Sequence, residues 1–173
     1  MVVFETERLV VRHWSEDDGD RVFDIYRRWE VSRWLGAEPR VMADRGAASK
    51  AMQRWNERGR TAPYGVWAVE ERATGTVAGT VLLVPLPEPS DGTPGRGEVE
   101  VGWHFHPDAW GRGLATESAR GAIAHGFRAG IGQIHAVVRP DNVASLAVCR
   151  RLGMRSLGRT TRWYGTELEA FLV

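Results

Sequence analysis

Residues 98–117 read EVEVGWHFHPDAWGRGLATE, and the two halves of this stretch carry different periods. From Glu98 to Phe105 polar and apolar residues alternate, the period of a half-buried strand. Val99, Val101, Trp103 and Phe105 fall on one face; Glu98, Glu100, Gly102 and His104 fall on the other. Beyond Gly113 the period lengthens: Ala115, Ala119, Ala122, Ile123 and Phe127 form one stripe of a helix over 113–129, stopped by Gly130. The join holds Gly111, Gly113 and Ala115. Amides at a helix start lack partners within the helix, and the helix dipole makes them an anion site wherever the backbone can be approached closely. Small residues here remove the side chains that would block such an approach. Amides from Gly111 to Thr116 therefore suit a phosphate or pyrophosphate, with Arg112 adding charge, although the same residues also read as an ordinary glycine turn.

Two familiar phosphate motifs do not fit. The dinucleotide fingerprint needs a third small residue where Thr116 stands and a leading strand-helix-strand unit. The Gly-Lys-Ser/Thr of a P-loop is absent.

Outward from this stretch, RLVVRHW (8–14) alternates as an opening strand, and Ser15 can cap a helix through 16–30 with Val22, Ile25, Tyr26 and Trp29 at helical spacing. A second helix is predicted over 41–58, stopping at Gly59. Residues 64–71 and 76–84 read as a hairpin, and 85–97 as a mobile loop rich in Pro and Gly. A strand over 133–138, a helix over 143–152, and a strand pair over 155–161 and 163–173 complete the chain. No repeat or low-complexity tract is visible. The order predicts one α/β (α+β) domain over 1–173, a mixed, mostly antiparallel sheet of about seven strands flanked by about four helices, rather than a doubly wound fold.

With 23 Lys and Arg against 22 Asp and Glu, the net charge of +1 gives no basic field of the kind nucleic-acid binding uses. Cys149 is the single cysteine, so no internal disulfide forms, and no apolar run approaches the roughly 20 residues of a membrane span. The first residues carry charge from Glu5 onward without a cleavable apolar core, which makes the cytoplasm the expected compartment.

Trp110-Gly111-Arg112-Gly113-Leu114-Ala115 resembles the Gln/Arg-x-x-Gly-x-Gly/Ala signature of the GNAT superfamily of acetyl-CoA-dependent N-acetyltransferases, with Trp110 in the Gln/Arg slot. Together with ETERLVVRHW (5–14) and NVASLAVCRRLGM (142–154), it looks like the RimJ/RimL branch, which includes ribosomal-protein N-terminal acetyltransferases. The resemblance spans almost the whole chain. It implies that Trp110, Gly111, Arg112, Gly113, Leu114, Ala115 and Thr116 cradle the CoA pyrophosphate. It also implies that the strand carrying Val101, Trp103 and Phe105 pairs through its backbone with pantetheine where the sheet splays. Asn142 contacts pantetheine and Arg151 the 3′-phosphate on the same analogy, and a homodimer is the common assembly. The family often has a tyrosine as acid for the departing thiolate; Cys149 stands there and reads as a buried small apolar residue.

Acetyl transfer to an amine needs a neutral nucleophile, donors for the developing oxyanion and an acid for the thiolate. Glu100 is the candidate base, two residues before Gly102, where the family's strand bulges; His104 is its rival on the same face. Asn142, Ser145 and Cys149 share one side of a helix, and Ser145 matches a serine proposed in this branch to assist the thiolate. Glu100 also reads as an edge carboxylate, Asn142 as a helix cap and Arg151 as a solvated arginine. His104 and His106 lack further ligands at metal-binding spacing, so no metal is expected. Trp29, Trp34, Trp55, Trp67 and Trp163 lie in segments flanking the acceptor side in this family, as core or as pocket wall. The resulting expectation is transfer of the acetyl group of acetyl-CoA to a primary amine, a protein N-terminus or a small amine, by direct attack in a ternary complex. The alternatives are acetylation of a small antibiotic or polyamine, and a CoA-binding module without turnover. Neither a membrane nor a nucleic-acid partner is expected.

Overall fold

Eight strands pair in the order β1-β2-β3-β4-β5-β6-β8-β7, and every neighbouring pair is antiparallel except β5 with β6. The strands are β1 (Val2–Glu5), β2 (Leu9–Arg12), β3 (Gly65–Glu71), β4 (Val77–Pro85), β5 (Val99–Phe105), β6 (Ile134–Val138), β7 (Arg155–Thr160) and β8 (Leu168–Leu172). The helices are α1 (Gly19–Tyr26), α2 (Trp29–Ser32), α3 (Arg45–Arg58), α4 (Leu114–Arg128) and α5 (Val143–Arg151). This computed structural model describes residues 1–90, 92, 93 and 95–173; Asp91 and Pro94, in the stretch read as a loop, lie outside the described residues. Among the described residues no helix is long and apolar enough to cross a membrane.

The sheet has one strand more than the seven expected, because β1 is only four residues long and buries Phe4 alone, too little for a period to register. The helix expected over 16–30 breaks for a reason visible in its acids. Arg12 grips the Asp18 carboxylate through both terminal nitrogens (2.7 and 2.9 Å), and that carboxylate also accepts the Ser15 amide (2.8 Å). These contacts hold Glu16–Asp18 in a 3-10 turn before α1 begins. An extended residue, Arg28, then separates α1 from α2 and turns Trp29 out of the stripe, leaving it 54% exposed. The helix expected over 41–58 starts at Arg45, since the Asp44 side chain accepts the Ala47 amide (2.7 Å) and caps it there.

Alternation along the strands separates two cores. On one face Leu9, Val11, Val69, Val81, Leu83 and Val101 pack with Leu114, Ala119 and Ala122 of α4. On the other, Ala68 and Val77 meet Val22 and Ile25 of α1 and Ala48 and Met52 of α3. Helix α4 buries Gly126 where the sequence stripe places Phe127, which is 41% exposed. A methyl at Gly126 would come within 2.9 Å of Ile134 Cδ1, so the helix end lies against β6 with no room for a side chain.

Strand β5 positions the site. It keeps unbroken register with β4, from Val99 opposite Pro85 to Phe105 opposite Gly79. The bulge expected at Gly102 is therefore absent from this pairing. On its other edge β5 meets the parallel strand β6 only at Val99–Ile134 and Glu100–His135. From Val101 onward the two strands diverge, which is the splay the resemblance implies.

Candidate active site

A cleft of about 1010 Å³ opens between the diverging strands, walled by Val101–His104 of β5, Ala136–Val138 of β6 and aromatic side chains from α1 and α3. Glu100 stands at the fork, the last residue of β5 paired with β6. The residue is 9% exposed and lines the cleft, and its carboxyl accepts a hydrogen bond from the Tyr164 hydroxyl. Burial pushes its pKa up to about 7, while the Tyr164 hydrogen bond pulls the other way. A carboxyl titrating near neutrality suits proton transfer at physiological pH.

Tyr164 is the site residue the sequence reading missed. It lies between β7 and β8, inside the stretch expected as continuous strand, and holds φ 61° with Gly165 following at φ 60°. A left-handed conformation costs a non-glycine residue on the order of 1 kcal/mol, so the fold holds this tyrosine against its own preference. The Tyr-Gly pair was the available turn signal. Burial raises the Tyr164 pKa, the adjacent carboxylate adds to the rise, and the charge of Arg58 partly offsets it.

His104, the rival base, is committed elsewhere. Its Nδ1 lies 3.0 Å from the Tyr26 hydroxyl, which also meets Thr80 Oγ1 at 2.8 Å. Burial drives its pKa down to about 4, leaving a neutral ring that is a weak base at pH 7. His106 belongs to a separate network, with Nε2 3.0 Å from Asp24 Oδ2 and Nδ1 accepting the Asp108 amide at 3.2 Å. The two histidines therefore do not converge.

Across the cleft, Asn142 caps α5 by accepting the Ser145 amide (3.2 Å), and the Ser145 hydroxyl oxygen accepts the Trp103 indole N–H (3.3 Å). An indole nitrogen only donates, so the Ser145 hydroxyl keeps its own hydrogen for an acceptor in the cleft. Asn142, Ser145 and Trp103 all line the wall. One turn further, Cys149 is fully buried in the core, and burial raises its thiol to about 12, which removes it from nucleophilic and acid chemistry.

The glycine turn lies outside the cleft wall. Gly111 (φ 72°) and Gly113 (φ 78°) are both left-handed, and a methyl added at either meets nothing closer than Arg8 Nη2, at 3.5 Å from Gly113. Open space thus covers the start of α4, whose first amides have no helical partner, and the buried Thr116 Oγ1 has no partner among the described residues. Trp110 ties the turn to β5 by donating its indole N–H to the Phe105 carbonyl (2.9 Å). Arg112, Phe105 and Leu114 each have a partner or a place in the core. Arg112 adds no free charge, because its guanidinium pairs with Glu71 (2.8 Å to Oε1). Phe105 turns its ring into the core, and its carbonyl is taken by Trp110. Leu114 is a core residue, so only its amide faces the turn. Ala115 is half-buried, and Arg151 is exposed at the end of α5. Of the tryptophans placed on the acceptor side, Trp34 and Trp55 line the cleft, whereas Trp67 and Trp163 are buried in core clusters.

The open turn at the start of α4 suits an anion, and the freed edge of β5 leaves backbone groups for an extended ligand. Residues 8–155 match a family model described as Acetyltransferase (GNAT) domain. YoaA of Bacillus subtilis, an uncharacterized N-acetyltransferase, is 27% identical over 160 residues, covering 90% of this chain and 84% of its own length. A GNAT-family acetyltransferase from Bacillus anthracis superposes with a TM-score of 0.78 at 19% identity, over 100% of this chain and 98% of that one. RimL, a ribosomal L7/L12 alpha-N-protein acetyltransferase solved with coenzyme A, gives 0.80 at 16% identity, over 100% and 97%. At such identities the structures share the fold.

Proposed function

The chain belongs to the GNAT family and is an acetyl-CoA-dependent acetyltransferase; from that premise we propose that its acceptor is a primary α-amine, such as a protein N-terminus, attacking directly in a ternary complex. The observation that carries this reading is the Glu100 carboxyl at the fork of β5 and β6, poised near pH 7. An α-amine with pKa 7.7–8.0 costs roughly 1 kcal/mol to deprotonate at pH 7, whereas a lysine near 10.4 costs about 4 to 5. A base of this strength matches the first.

Acetyl-CoA supplies an acetyl thioester with a thiol leaving group. The amides around Gly111–Thr116 hold its diphosphate, and the free edge of β5 at Val101 and Trp103, with Asn142, aligns its pantetheine. The amine nitrogen forms a bond to the acetyl carbonyl carbon while its proton passes through water to Glu100. The C–S bond breaks with its electron pair on sulfur, where the Ser145 hydroxyl donates a hydrogen bond. Ser145 is placed for this by Asn142 and by the Trp103 indole.

The test is thiol release from acetyl-CoA with peptides bearing a free N-terminus, against the same peptides blocked there but containing lysine. Release with the free peptides alone is expected. Equal release with blocked peptides would place the acceptor nitrogen elsewhere.

A further inference from the structure

We infer that the acceptor mouth of the cleft is an anion subsite, in which Arg54 and Arg58 receive a carboxylate or phosphate carried by the acceptor amine. The inference rests on the acetyl-transfer reading and adds a substrate class to it.

Arg54 and Arg58 lie one turn apart on α3, and both line the cleft. Like charges four residues apart disfavour a helix. Glu57 forms an ion pair with neither, and among the described residues neither guanidinium has a hydrogen-bonded or ion-paired partner. Arg45, on the same helix, is paired with Asp20. The third arginine of the wall, Arg139, is tied to the Gly36 carbonyl (2.7 Å). Among the described residues Glu100 is the one acidic residue lining the cleft, and it is buried at the fork.

Two further observations bear on how this charge acts. Arg58 acts electrostatically on the Tyr164 hydroxyl, which is bonded to Glu100. The surrounding wall is apolar, with Trp34, Met42, Trp55, Pro85 and Pro87, and Arg33 stacks on Trp34 at 4.2 Å. Low-dielectric walls lined by one sign of charge concentrate the field on an incoming ligand. A polycation such as a polyamine or aminoglycoside would enter against that field. An amine bearing an anion would leave its charged group on the arginines and carry its nitrogen inward to Glu100.

The experiment measures both turnover with acetyl-CoA and calorimetric binding for matched acceptors. One pair is a short peptide starting Ser-Glu-Glu against Ser-Gln-Gln; a second is phosphoethanolamine against ethanolamine; spermidine is the polycation. The anionic member of at least one pair is expected to lead by roughly tenfold in kcat/KM at low salt, with the lead shrinking at high salt. An advantage in the peptide pair alone identifies an acidic peptide, and one in the second pair alone a small phosphate-bearing amine. In the double variant Arg54→Gln, Arg58→Gln the ratio should fall towards one. Equal rates within both pairs, preference for spermidine, or an unchanged ratio in the variant would overturn the subsite. Should acidic peptides bind through Arg54 and Arg58 without any acetyl transfer, the subsite stands and the acceptor reading falls.

Discussion

The Tyr164 hydroxyl donates a hydrogen bond to Glu100 Oε1, joining the connection between β7 and β8 to the fork of β5 and β6. The bond opposes what burial does to the carboxyl: burial favours the protonated form, and the phenol favours the ionised one. Glu100 is held near pH 7 by the balance.

The pH dependence of the rate follows. Activity is expected to rise as pH passes through about 7, where Glu100 becomes a competent base. Glu100→Gln should remove that limb and lower kcat by about 10²–10⁴-fold, leaving only the ionisation of the amine. Tyr164→Phe removes the bond that favours the carboxylate, so the limb should move to higher pH. Rate profiles between pH 5.5 and pH 9 for the three proteins check this; an unmoved limb in Tyr164→Phe would show that the phenol does not act through Glu100.

Stability should carry the same signature. The folded state keeps the Glu100 proton up to about pH 7, while the unfolded chain loses it near 4.5, so ionising this group removes stability as pH rises between those values. At 1.36 kcal/mol per unit the component is on the order of 3 kcal/mol. His104 works in the opposite direction, since its folded pKa near 4 makes the fold lose stability as pH falls below 6.5. The difference between the wild type and Glu100→Gln isolates the first effect. Urea unfolding should show the variant gaining on the wild type from pH 5 to pH 8.

Ser145 accepts from the Trp103 indole and so has its own hydrogen to give. Ser145→Ala should lower kcat by roughly ten- to a hundredfold while acetyl-CoA affinity changes little, because a bond formed to developing thiolate charge acts in the transition state. Trp103→Phe frees the serine from its partner and should give a smaller loss of the same kind. Loss confined to KM for acetyl-CoA would make Ser145 a binding residue instead.

Much of this site is local in sequence, which is why it was legible. The alternation of residues 98–105 already separates Glu100 and His104 from Val99 and Val101, and Gly111 and Gly113 already mark the turn. What stayed hidden depends on partners distant along the chain. Nothing near Arg112 shows that Glu71 takes its charge, and nothing near Glu100 shows that Tyr164 reaches it. His104 alternates onto the correct face, yet its neutrality comes from burial, and its Nδ1 is taken by the hydroxyl of Tyr26, far away on α1. The 3-10 turn at Glu16–Asp18 likewise depends on Arg12, on a neighbouring strand, and the extended residue Arg28 breaks the helix although the helical period runs on through it.

Two glycines at opposite ends of α4 separate the demands of the backbone from those of the donor. Gly113 (φ 78°) opens the helix and Gly130 (φ 89°) follows it, and neither has a heavy atom closer than 3.5 Å to an added methyl. Leucine at either position takes on the same left-handed strain, about 1–2 kcal/mol, so both variants should lose comparable stability. Only Gly113→Leu places a side chain over the amides that open α4. Its affinity for acetyl-CoA, measured by calorimetry on the folded protein, should fall at least tenfold (about 1.4 kcal/mol), while Gly130→Leu binds as the wild type does. Equal affinity in the two variants would mean that the diphosphate lies elsewhere, and the turn would then serve the fold alone.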